Sequence, residues 1–283
     1  MKKRRHPDWL KVNLGSGNNY SEMKKILRKA KLHTICEEAK CPNMPECFSN
    51  GTAVFLILGD TCTRKCKYCN VKQGNPLPLN PDEPLAVAES VKKLGLKYVV
   101  ITSVTRDDLE DGGASVFYDC VKEIKKKQSN CKVEVLIPDF KGCTASLKKV
   151  IDSVPDVINH NIEISEKLFH KIRPEGNYKT SLSLLKNIKN INNNIKTKSG
   201  FMVGLGEDNN HIIKTMKDLK NAKVDFLTIG QYLQPTMDHI KIKRYYTPEE
   251  FLKFKCIALE LGFKHVESGP LVRSSYHAER VNL

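Results

Sequence analysis

Val54-Phe-Leu-Ile-Leu58 runs through Gly59-Asp-Thr61 into Cys62-Thr-Arg-Lys-Cys-Lys-Tyr-Cys69, an apolar stretch followed at once by three cysteines spaced C-x3-C-x2-C. Five consecutive apolar residues closed by Gly-Asp read as a buried strand, which puts Cys62, Cys66 and Cys69 at its C-terminal end. A second trio, Cys36, Cys41 and Cys47, lies just upstream with the spacing C-x4-C-x5-C. Three thiolates cannot saturate the four irons of a cubane cluster, so each trio would leave one iron open to a ligand that is not a local cysteine.

Other uses of cysteine fit less well. A disulfide framework belongs to short secreted chains, whereas ten cysteines in 283 residues are sparse and the start, Met1-Lys-Lys-Arg-Arg-His-Pro-Asp8, lacks an apolar signal core. Structural zinc wants four ligands, usually in paired knuckles, which the C-x3-C-x2-C loop does not supply. Cys120, Cys131, Cys143 and Cys256 stand alone and read as small apolar packing residues.

Outward from that loop, apolar β-rich runs alternate with helical patterns. The expected strands are Val54 to Leu58, Tyr98 to Ser103, Val133 to Ile137, Val157 to Glu163, Gly200 to Leu205 and Phe226 to Gln231. Amphipathic helices are expected near Pro84 to Leu94, Ser115 to Lys127, Ser146 to Ser153, Lys179 to Asn193, Asn209 to Ala222 and Pro248 to Leu261. Six β-then-α units imply parallel strands with right-handed crossovers. Polar residues follow many strands, not one switch point, which favours a partial (β/α)6 TIM-like barrel of the α/β class over a doubly wound sheet. The polar strand ends are Thr102-Ser-Val-Thr-Arg-Asp-Asp-Leu-Glu-Asp-Gly-Gly-Ala114, Asn159-His-Asn-Ile-Glu163, Gly204-Leu-Gly-Glu207 and Gly230-Gln-Tyr-Leu-Gln-Pro235.

The formal charge is +15, from 47 basic and 32 acidic residues, and it is dispersed, as in Lys186-Asn-Ile-Lys-Asn-Ile-Asn-Asn-Asn-Ile-Lys196. That pattern reads as a solvated basic surface and not as a nucleic-acid stripe. No apolar run has the length of a membrane span. A soluble, reducing compartment is expected, the cytoplasm or an organellar matrix, with the chain monomeric and bound to neither nucleic acid nor membrane.

Cys62-Thr-Arg-Lys-Cys-Lys-Tyr-Cys69 resembles the signature of the radical S-adenosylmethionine enzymes. Together with Cys36-Glu-Glu-Ala-Lys-Cys41, Pro42-Asn-Met-Pro-Glu-Cys47, Thr102 to Ala114, Gly230 to Pro235 and Arg273-Ser-Ser-Tyr-His-Ala278, it resembles the lipoyl synthase family over nearly the whole chain. The upstream trio and the terminal Arg-Ser-Ser-Tyr are the discriminating pair.

The resemblance implies two 4Fe-4S clusters. Cys62, Cys66 and Cys69 would hold the one whose fourth iron is chelated by S-adenosylmethionine, the source of a 5′-deoxyadenosyl radical. Cys36, Cys41 and Cys47 would hold an auxiliary cluster completed by Ser275, and this cluster would be the sulfur source. Tyr68 matches an aromatic position near adenine. Arg64, Lys65 and Lys67 could offset cluster charge. Polar groups at strand ends, Arg106, Asp107, Asn161, Glu163 and Arg173, are further candidates for cofactor contacts.

The implied substrate is an octanoyl chain on a lysine of a carrier domain, in a dehydrogenase complex or the glycine cleavage system, with sulfur inserted at C6 and C8. A low-potential electron donor and an iron–sulfur cluster carrier are the other implied partners. Unactivated C–H bonds lie beyond acid–base chemistry, so His33, His160, His211 and His265 are not assigned as general bases. Two alternatives stay open here: another radical sulfur-inserting enzyme of the biotin synthase or methylthiotransferase type, and a basic metal-binding nucleic-acid module. The expected organisation is an N-terminal extension over 1–50, the barrel over 51–268 and a C-terminal extension over 269–283, both extensions lying over the barrel mouth.

Overall fold

The computed structural model describes residues 7–11, 18–30, 32–49 and 54–280. Ahead of the barrel come helix α1 (Asn18–Lys29), the two-residue strand β1 (His33–Thr34), and two short helices, α2 (Ile35–Glu38) and α3 (Met44–Ser49). Strand β2 (Val54–Ile57) is fully buried, as its unbroken apolar run requires. After it, β3 (Thr61–Cys62) and β4 (Lys72–Gln73) pair with each other and pinch the cysteine loop closed at its base.

The repeating units follow: α4 (Glu83–Lys93), β5 (Tyr98–Ser103), α5 (Ala114–Lys127), β6 (Lys132–Leu136), α6 (Thr144–Asp152), β7 (Val157–Asn159), α7 (Glu166–Ile172), α8 (Tyr178–Ile191), β8 (Lys196–Val203), α9 (Asn209–Asn221), β9 (Phe226–Gln231), α10 (Pro248–Glu260) and β10 (His265–Gly269). Local chemistry sets their starts. Thr247 and Glu250 cap α10 reciprocally ahead of Pro248, and the Asn177 side chain accepts from the Thr180 N–H at the head of α8. The strands pair in the order β1-β2-β5-β6-β7-β8-β9-β10, and every pair from β2 onward is parallel. This is a mixed α/β fold with a mostly parallel sheet, the partial TIM-like barrel expected from six β/α units.

Some boundaries differ from expectation. A seventh parallel strand, β10, lies outside the six units; His265-Val-Glu-Ser-Gly269 holds one large apolar residue and so gave no strand signal. Strand β8 starts at Lys196 among polar residues because Lys198 faces the barrel interior and pairs with buried Glu134 at 3.0 Å. Strand β7 stops at Asn159, and the chain rejoins the sheet only through a bridge from Glu163 to Phe201. Glu163, at that bridge, has φ of 71°, a left-handed conformation outside the strand region. Antiparallel β1 covers the outer edge of β2. No helix among the described residues is long and apolar enough to cross a membrane.

Candidate active site

Cys62 ends β3, and the loop behind it is anchored on several sides. The Thr63 N–H donates to the Thr105 carbonyl at 3.0 Å, the Lys67 N–H to the Ile172 carbonyl at 3.0 Å, and the Ile240 N–H to the Lys67 carbonyl at 3.2 Å. His239 Nε2 lies 3.0 Å from the Cys69 carbonyl. Beneath the loop, buried Arg64 donates to both oxygens of Asp139 at 2.7 and 2.6 Å and to both of Asp107 at 2.7 and 3.0 Å. Burial works against the Arg64 charge, but the paired carboxylates hold it fully protonated, and the same pair keeps Asp139 well below the usual carboxylate range. Arg64 is therefore an anchor for the loop, while Lys65 and Lys67 are exposed.

The second trio is folded by two one-turn devices. Thr34 caps α2, and the Cys41 N–H returns to the Cys36 carbonyl at 2.9 Å; the Cys47 N–H donates to the Asn43 carbonyl at 2.9 Å as α3 begins. Asn70 Nδ2 donates to the Glu38 carbonyl at 2.9 Å and so ties this segment to the first cysteine loop. The terminal motif closes over both. Asn43 Nδ2 donates to the Leu271 carbonyl at 2.7 Å, and the Tyr276 hydroxyl to Glu46 at 3.2 Å. Asn161 Nδ2 donates to Ser274 Oγ at 2.6 Å and Arg273 to the Gln231 carbonyl at 3.3 Å.

These elements enclose one cavity of about 520 Å³ at the C-terminal ends of the barrel strands. All six cysteines line it, as do Tyr68, Asn161, Glu163, Arg173 and Ser275. Arg106 and Asp107 do not, which corrects their expected place among the cofactor contacts. Arg106 is buried against Asp108 at 2.8 Å and the Leu58 carbonyl at 3.2 Å, and Asp107 is committed to Arg64. An acidic, glycine-rich loop carries no sign in its sequence of which side chains turn inward.

Residues that the sequence singled out without a positive role build the frame of the site. Gln231 is buried and donates to the Val203, Tyr232 and Arg244 carbonyls while accepting from the Tyr246 N–H, so it organises the Gly230 to Pro235 turn. Gly230 is required by closeness: an added Cβ would meet the Val272 carbonyl oxygen at 2.2 Å. His160 lines the cavity, but both ring nitrogens are taken, by the Ile137 carbonyl at 2.8 Å and Ser181 Oγ at 2.9 Å. Burial first, and Arg173 second, depress it to about 4, so it is neutral at physiological pH.

The cavity suits a polar cofactor and thiolate-held clusters. Asn161 Oδ1 and Arg173 Nε are buried without partners among the described residues, a combination that calls for a ligand with both donors and acceptors. Burial above all pushes the Cys36, Cys47 and Cys69 thiols up to about 12 and the Cys66 thiol up to about 11. Thiols so reluctant to ionise alone require a strongly cationic core to become ligands. Among the described residues no three Cys, His, Asp or Glu side chains converge on a single-ion site. A four-iron cluster would spread the three thiolates of a trio over three separate irons.

Residues 56–219 match the model of the radical SAM superfamily, and residues 1–41 match that of the N-terminal domain of lipoyl synthase of the radical SAM family. The lipoyl synthase of Caldicellulosiruptor bescii is 54% identical over 96% of this chain and 94% of its own length; that of Rubrobacter xylanophilus is 53% identical over 96% and 85%. The chain belongs to the lipoyl synthase family. As a lipoyl synthase family member it is a radical SAM enzyme, and its superfamily works with a 4Fe-4S cluster and S-adenosylmethionine. Membership sets aside the biotin synthase type, the methylthiotransferase type and the nucleic-acid module. Streptococcus suis SuiB bound to S-adenosylmethionine shares the fold, with a TM-score of 0.59 at 13% identity over 92% of this chain and 58% of SuiB.

Proposed function

We propose that this lipoyl synthase family member inserts sulfur at C6 and C8 of an octanoyl chain amide-linked to a lysine of a carrier domain. The observation that carries the reading is that both cysteine trios and Ser275 line one cavity. In this reading Cys62, Cys66 and Cys69 hold the cluster that binds S-adenosylmethionine, while Cys36, Cys41, Cys47 and Ser275 hold an auxiliary cluster. When bound, the first cluster and S-adenosylmethionine supply the radical that removes hydrogen from unactivated carbons, and the auxiliary cluster supplies sulfur.

The chain's own side chains position and exclude. Tyr68 offers an aromatic face, and Arg173 Nε and Asn161 Oδ1 offer a donor and an acceptor without protein partners. Glu163 adds a carboxyl held by strained backbone, in the left-handed region where functional residues collect. Burial raises its pKa. A serine oxygen among three cysteines is a harder ligand than thiolate and releases iron more readily, which suits a cluster that gives up sulfur. The tail that carries Ser275 also lines the cavity, through Val272 to Tyr276. Dehydrogenase-complex or glycine-cleavage carrier domains, an electron donor and an iron–sulfur carrier complete the reading, with the chain working as a monomer in the cytoplasm or an organellar matrix. The described parts of the two extensions, residues 18–30, 32–49 and 269–280, act as covers for the barrel, and the remainder of the expected ranges 1–50 and 269–283 lies largely outside the described residues.

Anaerobic turnover with S-adenosylmethionine, a reductant and an octanoyl-lysyl peptide tests it. Thiolated and then lipoylated peptide is expected. Release of 5′-deoxyadenosine with no sulfur on the peptide would retain the superfamily chemistry and reject sulfur insertion.

A further inference from the structure

Leu77 and Met237 are the most exposed large apolar side chains among the described residues, at 78% and 80%. Both stand beside the same loop. The Gly74 N–H donates to the Cys62 carbonyl at 3.0 Å, and the chain then continues through Asn75-Pro-Leu-Pro-Leu-Asn-Pro81, where Leu79 is also exposed. On the other side His239, two residues after Met237, lies against the Cys69 carbonyl at 3.0 Å. Gln73 and Pro235, from which the two segments leave, line the cavity itself. The apolar residues therefore flank the cavity mouth. Three prolines stiffen the first segment, so presenting its leucines to a partner costs little ordering entropy.

The charge around them is mainly positive, although Asp60 lies near Lys72 and Glu175 beside the Lys65 N–H. Between residues 65 and 80 and between 235 and 243 lie Lys65, Lys67, Lys72, Lys241 and Lys243 against Asp238 alone. Of these, Lys67 and Lys241 are exposed and have no ion-pair partner among the described residues. A cavity of about 520 Å³ admits a chain and a cofactor but no folded domain. A substrate borne on a protein must leave that protein seated on the rim.

We propose that the rim formed by residues 74–81 and 235–241 is the docking surface for the carrier domain, which meets it with an apolar patch edged by carboxylates. This rests on the functional reading above, because it takes the substrate to be protein-borne. Exposed apolar residues at a mouth, ringed by lysines, are the layout of an interface with an apolar centre and a polar rim.

The test compares two substrates, an octanoylated carrier domain and an octanoyl-lysyl peptide, on wild type, on the double variant Leu77→Ser/Met237→Ser and on Lys241→Glu. Unchanged far-ultraviolet circular dichroism and iron content verify that the variants are folded and loaded. The double variant is expected to raise KM for the carrier about tenfold, equivalent to losing about 1.4 kcal/mol of contact, with peptide kinetics unchanged. Lys241→Glu is expected to weaken carrier turnover and to flatten its dependence on salt. Peptide turnover with a carrier KM unmoved by the variants overturns the surface alone. Equal losses on both substrates also overturn it, since they place the residues in the site and not in docking. Concentration-dependent dimerisation abolished by the double variant, with carrier KM unchanged, assigns the patch to a second copy and overturns it. No sulfur product from wild type on either substrate overturns the functional reading and the surface with it.

Discussion

Replacing Arg64 with methionine would leave Asp139 as a buried carboxylate without its main partner, since the two side chains are only 2% and 3% exposed. Loss of one member of such a pair costs about 3–5 kcal/mol. The expected outcome for Arg64→Met is a large drop in the anaerobic urea midpoint together with loss of iron from the adjacent loop, read by absorbance. His160 gives a pH signature. Its imidazole is held at about 4 in the folded chain against an ordinary 6.5, so between those values the unfolded chain takes up a proton that the native one refuses. Its contribution is thus full above pH 6.5 and is lost as pH falls toward 4, with a slope of up to about 1.4 kcal/mol per pH unit. His160→Gln should flatten stability between pH 7 and about pH 5, measured by urea titration against wild type.

At the scale of the element, strand β9 and the terminal motif depend on close backbone approach. A methyl at position 230 meets the Val272 carbonyl, and a backbone atom cannot swing aside. Gly230→Ala is expected to cost about 1–3 kcal/mol and to raise the exchange rate of amides in residues 271–276, read by hydrogen–deuterium exchange. Asn43→Ala should loosen the same tail more gently, by about 1 kcal/mol, because it removes one hydrogen bond at the Leu271 carbonyl. The apolar strands β2, β5 and β9 were legible in the sequence because their residues are buried on both faces. Strand β10 was not, since its register comes from pairing with β9 and not from its own side chains.

Across the whole molecule, the proposed assignment makes the two cysteine trios separable in chemistry although they share a cavity. Replacing Cys36, Cys41 and Cys47 together by alanine is expected to lower iron from about eight to about four per chain, to retain cleavage of S-adenosylmethionine, and to abolish sulfur transfer. Iron assay and peptide mass would show it; sulfur transfer surviving in that variant would sink the auxiliary-cluster assignment. The cysteines were readable because their spacing is local. Asn161 and Glu163 were readable as polar groups where a buried strand end should be apolar, whereas Arg173, expected at a strand end, follows helix α7 as its C-cap. The anchoring role of Arg64 and the grip of His239 on the Cys69 carbonyl were not, because each is fixed by a partner that only the folded chain brings near.

The roof over the cavity also sets a timetable. Asn43 and Leu271 meet across 228 residues of sequence. At ~5–20 residues per second, synthesis leaves the upstream trio without its cover for about 10–45 s. During that interval Cys36, Cys41 and Cys47 are ordinary accessible thiols on a growing chain, open to oxidants and to stray metal. Ser275 is made after every cysteine of both trios, so on the proposed assignment the auxiliary site stays open until the tail has been synthesised.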